Sequence, residues 1–599
     1  MTTDEKITIL RELMKERGID VYYVPNADDH LSDEYTADWF KCKSFLSGFT
    51  GESGCMVVTQ DFAGLWTDGR YFTQAEKQLA GTCVTLMRMR QEGVPEPLDF
   101  ASDALPEGGV LGFDGSVVSA LESKQLSQAL KHKNGRLHTS DDLAGIVWGA
   151  ERPAMPQEKL FVLDTEYTGE SAQERIARVR EAMKQAHADV LVLTALEDPC
   201  WLFNIRGNDI ACTPVAYAFA VVTADSASYY IDPVKVPEEV RAHLEEADVS
   251  IKDYHAIAED LSALRNCVIW TDLAKLNTVL YKALDSGNSI LNRKSPVLLF
   301  RAVKNETEIR NIRNAHLKDG AAMVKFLRWL KENAKNGLTE VSAQNRLYEL
   351  RAEGADYIEP SFPTISAYQA NGAMMHYSAS EESYADIEPR GFLLVDSGGT
   401  YKDGTTDITR TIAVGELTDL EKKYYTIVLK GHLALARARF LYGTTGNNLD
   451  ILARGPVWDI DIDYQCGTGH GVGHVLSVHE GPHGIRWGMG TPARPNAVLE
   501  AGMIVTNEPG IYLPDELGIR IENELLVTKG TKNFYGQFMY FEDLTYCPYE
   551  RDAIDPAYLN ETEIAQINAY HRMVCEKLSG MLGEEDRAWL EEACREIVK

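Results

Sequence analysis

The chain has 599 residues, more than one hydrophobic core normally serves, so we expect two to four domains. Its 60 basic and 90 acidic residues give a formal net charge of −30, which argues against nucleic acid as a partner because phosphate binding needs clustered Lys and Arg. The hydrophobic content of 44% and the charged content of 25% are those of an ordinary globular protein.

The N-terminal stretch MTTDEKITILREL lacks the apolar segment of a secretory signal. No run of 18 apolar residues occurs in the sequence, so we expect no membrane-spanning segment and no membrane partner. The ten cysteines occur without a C-x-x-C pair, a pattern that is typical of reduced thiols. These three features together predict a cytoplasmic protein.

The first predicted elements are a helix with Ile7 and Leu10 on one face and an apolar strand in GIDVYYV, residues 18–24. A similar helix precedes HADVLVL, residues 187–193, at an offset of 169 residues. A second pair of similar stretches begins at residues 55 and 219, an offset of 164. The nearly constant offset predicts two copies of one α/β domain. Chance similarity is the alternative, because strand–turn–strand patterns recur widely.

Two proline-containing stretches predict the domain boundaries. ERPAMPQEK (151–159) is interpreted as a linker, and NRKSPV (292–297) is interpreted as a second joint. The predicted domains are listed here in order: 1–153, 154–297 and 298–599. The third is expected to open with a long helix capped by Asn305 and to end in a helical extension from about residue 560.

Carboxylates follow or interrupt apolar strands in the third domain. FLLVDSGGTYKDGTTDITRTIAV (392–414) places Asp396 and Asp407 on two strands that can form a hairpin. A further strand leads to Glu508, and GIRIENELLV alternates so that Glu522 shares a face with Arg520. Four carboxylates on apolar strands are costly to bury without counter-charges, and a pair of divalent cations would offset them. Taken singly, each acid has the ordinary alternative of capping a turn or facing water.

The stretch CGTGHGVGHVLSVHEG (466–481) contains three histidines among closely spaced glycines. It is not a dinucleotide-binding loop, because the third glycine that such a loop needs falls on Val472. It is not a zinc-protease helix either, because Gly471 stands where that motif has Glu, and the glycines weaken a helix. We interpret it as a glycine-rich strand or bend that allows close approach to a metal, with His470 as a ligand.

Taken together, these motifs resemble the pita-bread metallopeptidase family and, within it, the long, three-domain cytosolic form of aminopeptidase P. The resemblance runs from about residue 20 to 550 and is carried by FLSGFTGESG, WTDGRYF, WLFNIRGND, AVKNETEI, SFPTISAYQANGAMMHY, VDSGGTYKDGTTDITRT, GTGHGVGH, VHEGP, TNEPGIY and GIRIENELLV. It implies an α/β (α+β) fold with two related creatinase-N-terminal-like domains before a pita-bread catalytic domain.

The resemblance also implies a centre of two divalent metal ions, most often Mn²⁺. Its ligands would be Asp396, Asp407, His470, Glu508 and Glu522, with Asp407 and Glu522 bridging both ions. Oxygen-rich ligation with one imidazole suits manganese and leaves cobalt, zinc and iron open.

Further roles follow from the same resemblance. His376 and His479 would be catalytic and would bind substrate, and Glu508 would also move a proton. Arg520, which would lie beside the bridging glutamate, would orient that side chain. Arg70 would reach the active site from the first domain.

Cys466 is a departure from the family pattern, because the relatives carry a histidine four residues before the metal-binding histidine. A thiol cannot act as an imidazolium at neutral pH, so that histidine's role does not transfer. We interpret Cys466 as a small residue in the wall of the site. His474 and His483 are interpreted as structural.

The activity implied is release of the N-terminal residue from peptides with proline in the second position, by a hydroxide that two metal ions activate. One alternative is an Xaa-Pro dipeptidase, or prolidase, which would use the same ligands. Another is a binding module of the same fold without catalysis, disfavoured because all five ligand positions are kept. Metal-free creatinase-like hydrolysis is disfavoured for the same reason. The resemblance also implies a homodimer.

Overall fold

The computed structural model describes residues 1–32, 35–488 and 497–599. The chain divides into two compact units: residues 1–163 with 170–297, and residues 164–169 with 298–599. Helices and strands alternate in both units, which confirms the predicted α/β fold class. Among the described residues, no helix is both long and apolar enough to cross a membrane.

The first half of the first unit is built on a six-stranded sheet of order β4-β3-β2-β1-β5-β6. Helix α1 starts at a capping box between Thr2 and Glu5 and buries the predicted face. The strands are β1 Val21–Val24, β2 Cys55–Thr59, β3 Ala63–Thr67, β4 Thr85–Arg88, β5 Val110–Gly112 and β6 Arg136–His138. The helices are α1 Thr3–Arg17, α2 Cys42–Ser47, α3 Phe72–Leu79, α4 Pro97–Ala104, α5 Ala120–Ala129 and α6 Leu143–Trp148.

The second half of the first unit repeats this architecture, with a sheet of order β12-β11-β10-β8-β13-β14. The strands of this part of the chain are β7 Phe161–Val162, β8 Val190–Leu193, β9 Ile205–Arg206, β10 Phe219–Thr223, β11 Ala227–Tyr230, β12 Val249–Lys252, β13 Val268–Thr271 and β14 Ser289–Asn292. Its helices are α8 Ala172–Gln185, α9 Glu197–Leu202, α10 Glu238–Glu246, α11 Ile257–Ala263 and α12 Thr278–Ala283, while α7 Thr165–Thr168 belongs to the second unit.

The two sheets share one topology. In the first, β1 lies between antiparallel β2 and parallel β5; in the second, β8 lies between antiparallel β10 and parallel β13. The paired strands β1 and β8 begin at Val21 and Val190, and β2 and β10 begin at Cys55 and Phe219. These are the predicted offsets of 169 and 164 residues, so the internal repeat is confirmed. The boundary between residues 153 and 154 stays a prediction.

In its described residues, the second unit combines long helices with four sheets, whose orders are β15-β18-β19, β16-β17-β20, β21-β28-β27-β24-β22-β23 and β25-β26. Its strands are β15 Tyr357–Pro360, β16 Ile365–Tyr368, β17 Phe392–Ser397, β18 Gly399–Tyr401, β19 Gly404–Thr405, β20 Ile408–Ala413, β21 Arg439–Leu441, β22 Gly469–Gly471, β23 Glu480–Ile485, β24 Ile504–Asn507, β25 Gly510–Leu513, β26 Leu517–Arg520, β27 Asn523–Asn533 and β28 Gly536–Asp543. Its longer helices are α13 Pro296–Ala302, α14 Glu306–Asn333, α15 Glu340–Ala352, α16 Asp419–Ala436, α17 Asp450–Trp458, α18 Glu561–Leu578 and α19 Glu584–Ala593.

Helix α14 begins as predicted, because the side chain of Asn305 accepts hydrogen bonds from the N–H groups of Thr307 and Glu308. Helix α18 confirms the predicted helical tail. GIRIENELLV differs from its prediction: β26 ends at Arg520 and β27 starts at Asn523, and this whole stretch is buried. The alternating pattern therefore does not mark a water-facing side, because neighbouring elements cover both faces.

Candidate metal centre

The five predicted ligands stand on neighbouring strands of two sheets. Asp396 lies in β17 and Asp407 directly precedes β20, its antiparallel partner. His470 lies in β22, Glu508 directly follows β24, and Glu522 connects β26 to β27. The N–H of Glu522 donates to the carbonyl of Thr409 in β20 at 3.1 Å, and this bond joins the two sheets at the cluster.

Distances within the cluster are those of a possible ion site. Nε2 of His470 lies 3.3 Å from Oδ2 of Asp407 and 3.5 Å from Oε1 of Glu508. One ligand atom each of Asp407, His470 and Glu522 lie within 4.8 Å of one another, a group that could hold a metal ion. Asp396 acts electrostatically on both Asp407 and Glu522. The structure therefore brings the five residues together; their assignment as ligands stays a proposal.

The carboxylates are poorly compensated by protein groups alone. Burial raises the pKa of Asp407 and of Glu522 well above the usual range, and the neighbouring carboxylates raise both further. Among the described residues, Oδ1 of Asp396 is buried without a hydrogen-bond partner. Several buried acidic oxygens beside one imidazole form a donor set that suits hard divalent cations, so the residues fit the implied metal ions.

Arg520 makes hydrogen bonds to three side chains in and next to this cluster. Its Nη2 lies 2.5 Å from Oδ2 of Asp396, and its Nη1 donates to the hydroxyl of Tyr512 at 2.8 Å. Nε donates at 3.2 Å to Oγ1 of Thr409, which in turn donates to Oε2 of Glu522 at 2.7 Å. Arg520 therefore reaches Glu522 through Thr409. We did not single out Thr409 and Tyr512 from the sequence, although both lie inside the motifs DITRT and GIY.

The predicted substrate-binding histidines also lie in this unit. The ring of His479 meets that of His470 edge-on, with centroids 4.2 Å apart. His376 is half-buried in a turn that follows the 3₁₀ segment Gln369–Ala373. That segment packs on β26: a Cβ added to Gly372 would lie 3.2 Å from the backbone of Gly518. The contact brings the turn of His376 toward the strand of Arg520.

A buried ion-pair cluster holds the strand that begins next to His479. Glu480 lies in β23 with its carboxylate between Arg301 and Lys304; Arg301 Nη1 donates to its Oε2 at 2.9 Å, and Lys304 Nζ donates to its Oε1. These side chains are at most 5% exposed. We did not predict this cluster from the sequence. Lys304 lies in the motif AVKNETEI, which Arg301 directly precedes, and Glu480 lies in the motif VHEGP.

Cys466 lies near the predicted ligands, and its role as a wall residue stays a prediction. Its carbonyl accepts from Nη2 of Arg454 at 3.1 Å, and its thiol lies within the electrostatic reach of Glu508 and Arg520. Burial raises the pKa of this thiol to about 12. It is therefore protonated at neutral pH.

The other histidines of the glycine-rich stretch are held by backbone groups. Nε2 of His474 lies 3.0 Å from the carbonyl of Asp403, and Nε2 of His483 lies 2.6 Å from the carbonyl of Ile504. Burial lowers the pKa of His483 to about 4. These contacts agree with the structural roles predicted for both residues.

Arg70 belongs to the first unit, where its guanidinium makes two hydrogen bonds to Asp68, at 2.9 and 2.8 Å. Its predicted contact with substrate stays a prediction.

The fold and the cluster define a metallopeptidase. The model of metallopeptidase family M24 matches residues 310–529, and that of its C-terminal region matches residues 537–597. Models of the creatinase/prolidase N-terminal domain match residues 6–144 and 151–308. The predicted order of two creatinase-type domains and a catalytic domain is confirmed.

The chain is 39% identical to a probable Xaa-Pro aminopeptidase P from Paracoccidioides brasiliensis over 99% of each chain. It belongs to the Xaa-Pro aminopeptidase P family. The crystal structure of X-prolyl aminopeptidase from Caenorhabditis elegans, described as a cytosolic enzyme with a di-nuclear active site, matches with a TM-score of 0.94, 34% identity and 100% coverage of both chains. An Xaa-Pro dipeptidase from Bacillus anthracis matches with a TM-score of 0.50 and 27% identity, covering 63% of this chain and 99% of its own.

Proposed function

We propose that this protein is a metal-dependent aminopeptidase that removes the N-terminal residue from peptides with proline in the second position. The observation that carries the proposal is the convergence of Asp407, His470 and Glu522 in a group that could hold a metal, in a chain that matches Xaa-Pro aminopeptidase P over its whole length. The alternative function, an Xaa-Pro dipeptidase, is less well supported, because the similar dipeptidase structure covers only 63% of this chain.

Two divalent ions, proposed to be Mn²⁺, would be held by Asp396, Asp407, His470, Glu508 and Glu522. When bound, such ions lower the pKa of water and polarise the carbonyl of the scissile bond.

The protein's own groups would then move the protons and hold the substrate. Glu508, which is partly exposed, would accept a proton from the attacking water and return it to the proline nitrogen. His479, packed against His470, would donate to the oxygen of the tetrahedral intermediate, and His376 would hold the substrate backbone. Arg70 is proposed as a further substrate contact. Arg520 would keep Asp396 and, through Thr409, Glu522 in place.

Proline in the second position explains the need for a dedicated enzyme. Its nitrogen is tertiary and offers no N–H, and its ring fixes φ, so peptidases that require an N–H donor there reject it. We further propose that the protein acts in the cytoplasm as a homodimer on soluble peptides.

The test is hydrolysis of an Xaa-Pro-Pro tripeptide and of an Xaa-Pro dipeptide in metal-free buffer and again with Mn²⁺. We expect Mn²⁺-dependent release of the first residue from the tripeptide. Cleavage of the dipeptide alone would favour a prolidase, and absence of cleavage in every condition would refute the proposed peptidase activity. Parallel titrations with Co²⁺, Zn²⁺ and Fe²⁺ test the choice of metal.

A further inference from the structure

The last two helices of the chain carry a pair of cysteines that the proposed peptidase does not use. Cys575 lies in the last turn of α18, and Cys594 forms the C-cap of α19. Both residues meet at one carbonyl: Sγ of Cys575 lies 3.9 Å from the oxygen of Leu590, and the N–H of Cys594 donates to the same oxygen at 2.9 Å. Each thiol also shifts the pKa of the other.

The helical hairpin keeps these thiols together. Nε of Arg587 donates to the carbonyl of Ser579 at 2.9 Å and closes the turn between the helices. Beyond Cys594, the backbone of Ile597 makes two hydrogen bonds to the side chain of Asn568, at 3.0 and 2.9 Å. Leu590 is fully buried between the helices. Contacts on both sides therefore hold the cysteines in place.

The thiols differ in exposure and in acidity. Cys575 is half-buried, and the thiol of Cys594 lowers its pKa by hydrogen bonding, against the effect of burial. Cys594 is 8% exposed, and the hydrogen bond to Cys575 and burial raise its pKa. Cys575 is thus the better nucleophile and the more accessible one.

We propose that Cys575 and Cys594 form a site of reversible disulfide modification that responds to low-molecular-weight disulfides such as glutathione disulfide. The Cys575 thiolate attacks one sulfur of glutathione disulfide, which breaks the S–S bond and releases one glutathione thiolate. The thiolate of Cys594, after its proton passes to solvent or to that glutathione, attacks Sγ of Cys575 and releases the second. Two protein thiols are oxidised, and one glutathione disulfide is reduced to two glutathione thiols.

The modified hairpin packs behind the candidate metal centre. Tyr570 of α18 accepts from Nη2 of Arg410 at 3.1 Å and donates to the carbonyl of Cys547 at 3.0 Å. Nη1 of Arg410 donates at 2.7 Å to the carbonyl of Glu522. A disulfide between the two helices restrains α19 against opening away from this support. The modification therefore rigidifies the C-terminal hairpin, whether or not the proposed peptidase activity is correct.

The experiment treats the full-length, reduced protein with glutathione disulfide, blocks the remaining thiols with iodoacetamide and identifies cross-linked peptides by mass spectrometry. We expect a peptide pair joined through Cys575 and Cys594, reversed by dithiothreitol. In the oxidised protein, hydrogen exchange of the α19 amides should slow about tenfold. Alkylation of both thiols, or a stable glutathione adduct on Cys575 as the end product, overturns the proposal.

Three variants serve as controls. Cys575→Ser and Cys594→Ser should each abolish the cross-link and the slowed exchange, and both should keep wild-type activity. Cys83→Ser removes an exposed thiol of the first unit and should leave the cross-link intact. If exchange of α19 slows equally in Cys594→Ser, glutathione acts elsewhere and the proposed site is wrong. The wild-type mass measurement decides the question even if one serine variant fails to fold.

Discussion

Glu480→Gln tests the buried cluster that holds the strand next to His479. The substitution keeps the size of the side chain but removes the single carboxylate between Arg301 and Lys304. Both cations remain inside the protein without a counter-charge at residue 480, although Lys304 Nζ still donates to the carbonyls of Arg301 at 2.9 Å and of Ala302 at 3.5 Å. Removing one partner of a buried ion pair costs about 3–5 kcal/mol.

This cost should appear in stability and in catalysis. At about 1.5 °C of melting temperature per kcal/mol for a unit of about 300 residues, the expected fall is roughly 5–8 °C in thermal unfolding. We also expect a lower kcat on Xaa-Pro-Pro peptides, because β23 no longer holds His479 against His470. The control is Glu353→Gln, which breaks a surface pair with Lys325 at 3.2 Å, where the expected loss is below about 1 kcal/mol.

A second variant separates charge from shape. Lys304→Met combined with Glu480→Gln removes one of the two cations that contact residue 480, so part of the lost stability should return. A loss below about 1 kcal/mol in Glu480→Gln, equal to that of the surface control, would show that the cluster does not hold the strand.

Three further predictions concern the metal centre, its wall and the first unit. Asp407→Asn should abolish Xaa-Pro hydrolysis and also the stabilisation by added Mn²⁺, which we expect to be about 2.7 kcal/mol for the wild type at 100 times Kd; full activity would refute the ligand assignment. Cys466→Ala should keep kcat/KM within about threefold, since the thiol is protonated, whereas a large gain in Cys466→His would show that the cysteine replaces a catalytic group. Burial, and then the charge of Asp28, raises the pKa of Asp29 from 3.8 to about 8, so its contribution to stability is complete below pH 4, falls as pH rises from about 4 to 8, and is lost above 8. Asp29→Asn should therefore unfold at higher urea than the wild type at pH 8.5, and this advantage should shrink as the pH falls toward 4; equal midpoints at pH 8.5 would contradict the raised pKa.

Much of the fold was predictable because its signals are local. The capping residue Asn305 and the apolar face of α1 depend on residues within one or two turns, and both predictions hold. The repeat was predictable because equal offsets of similar strands survive in the sequence. GIRIENELLV was predicted as one alternating strand, and that prediction missed the break at Glu522, which depends on a hydrogen bond to distant Thr409.

The sequence by itself determined which residue types could bind metal and the order in which they occur, since acids on apolar strands call for counter-charge wherever they are buried. Only the tertiary structure decided how they meet. Asp407 and His470, 63 residues apart, come within 3.3 Å because two sheets join at the bond from Glu522 to Thr409. The same holds for the support around them: Arg301, Lys304 and Glu480 are ordinary charged residues in the sequence, and only burial of all three makes their pairing necessary.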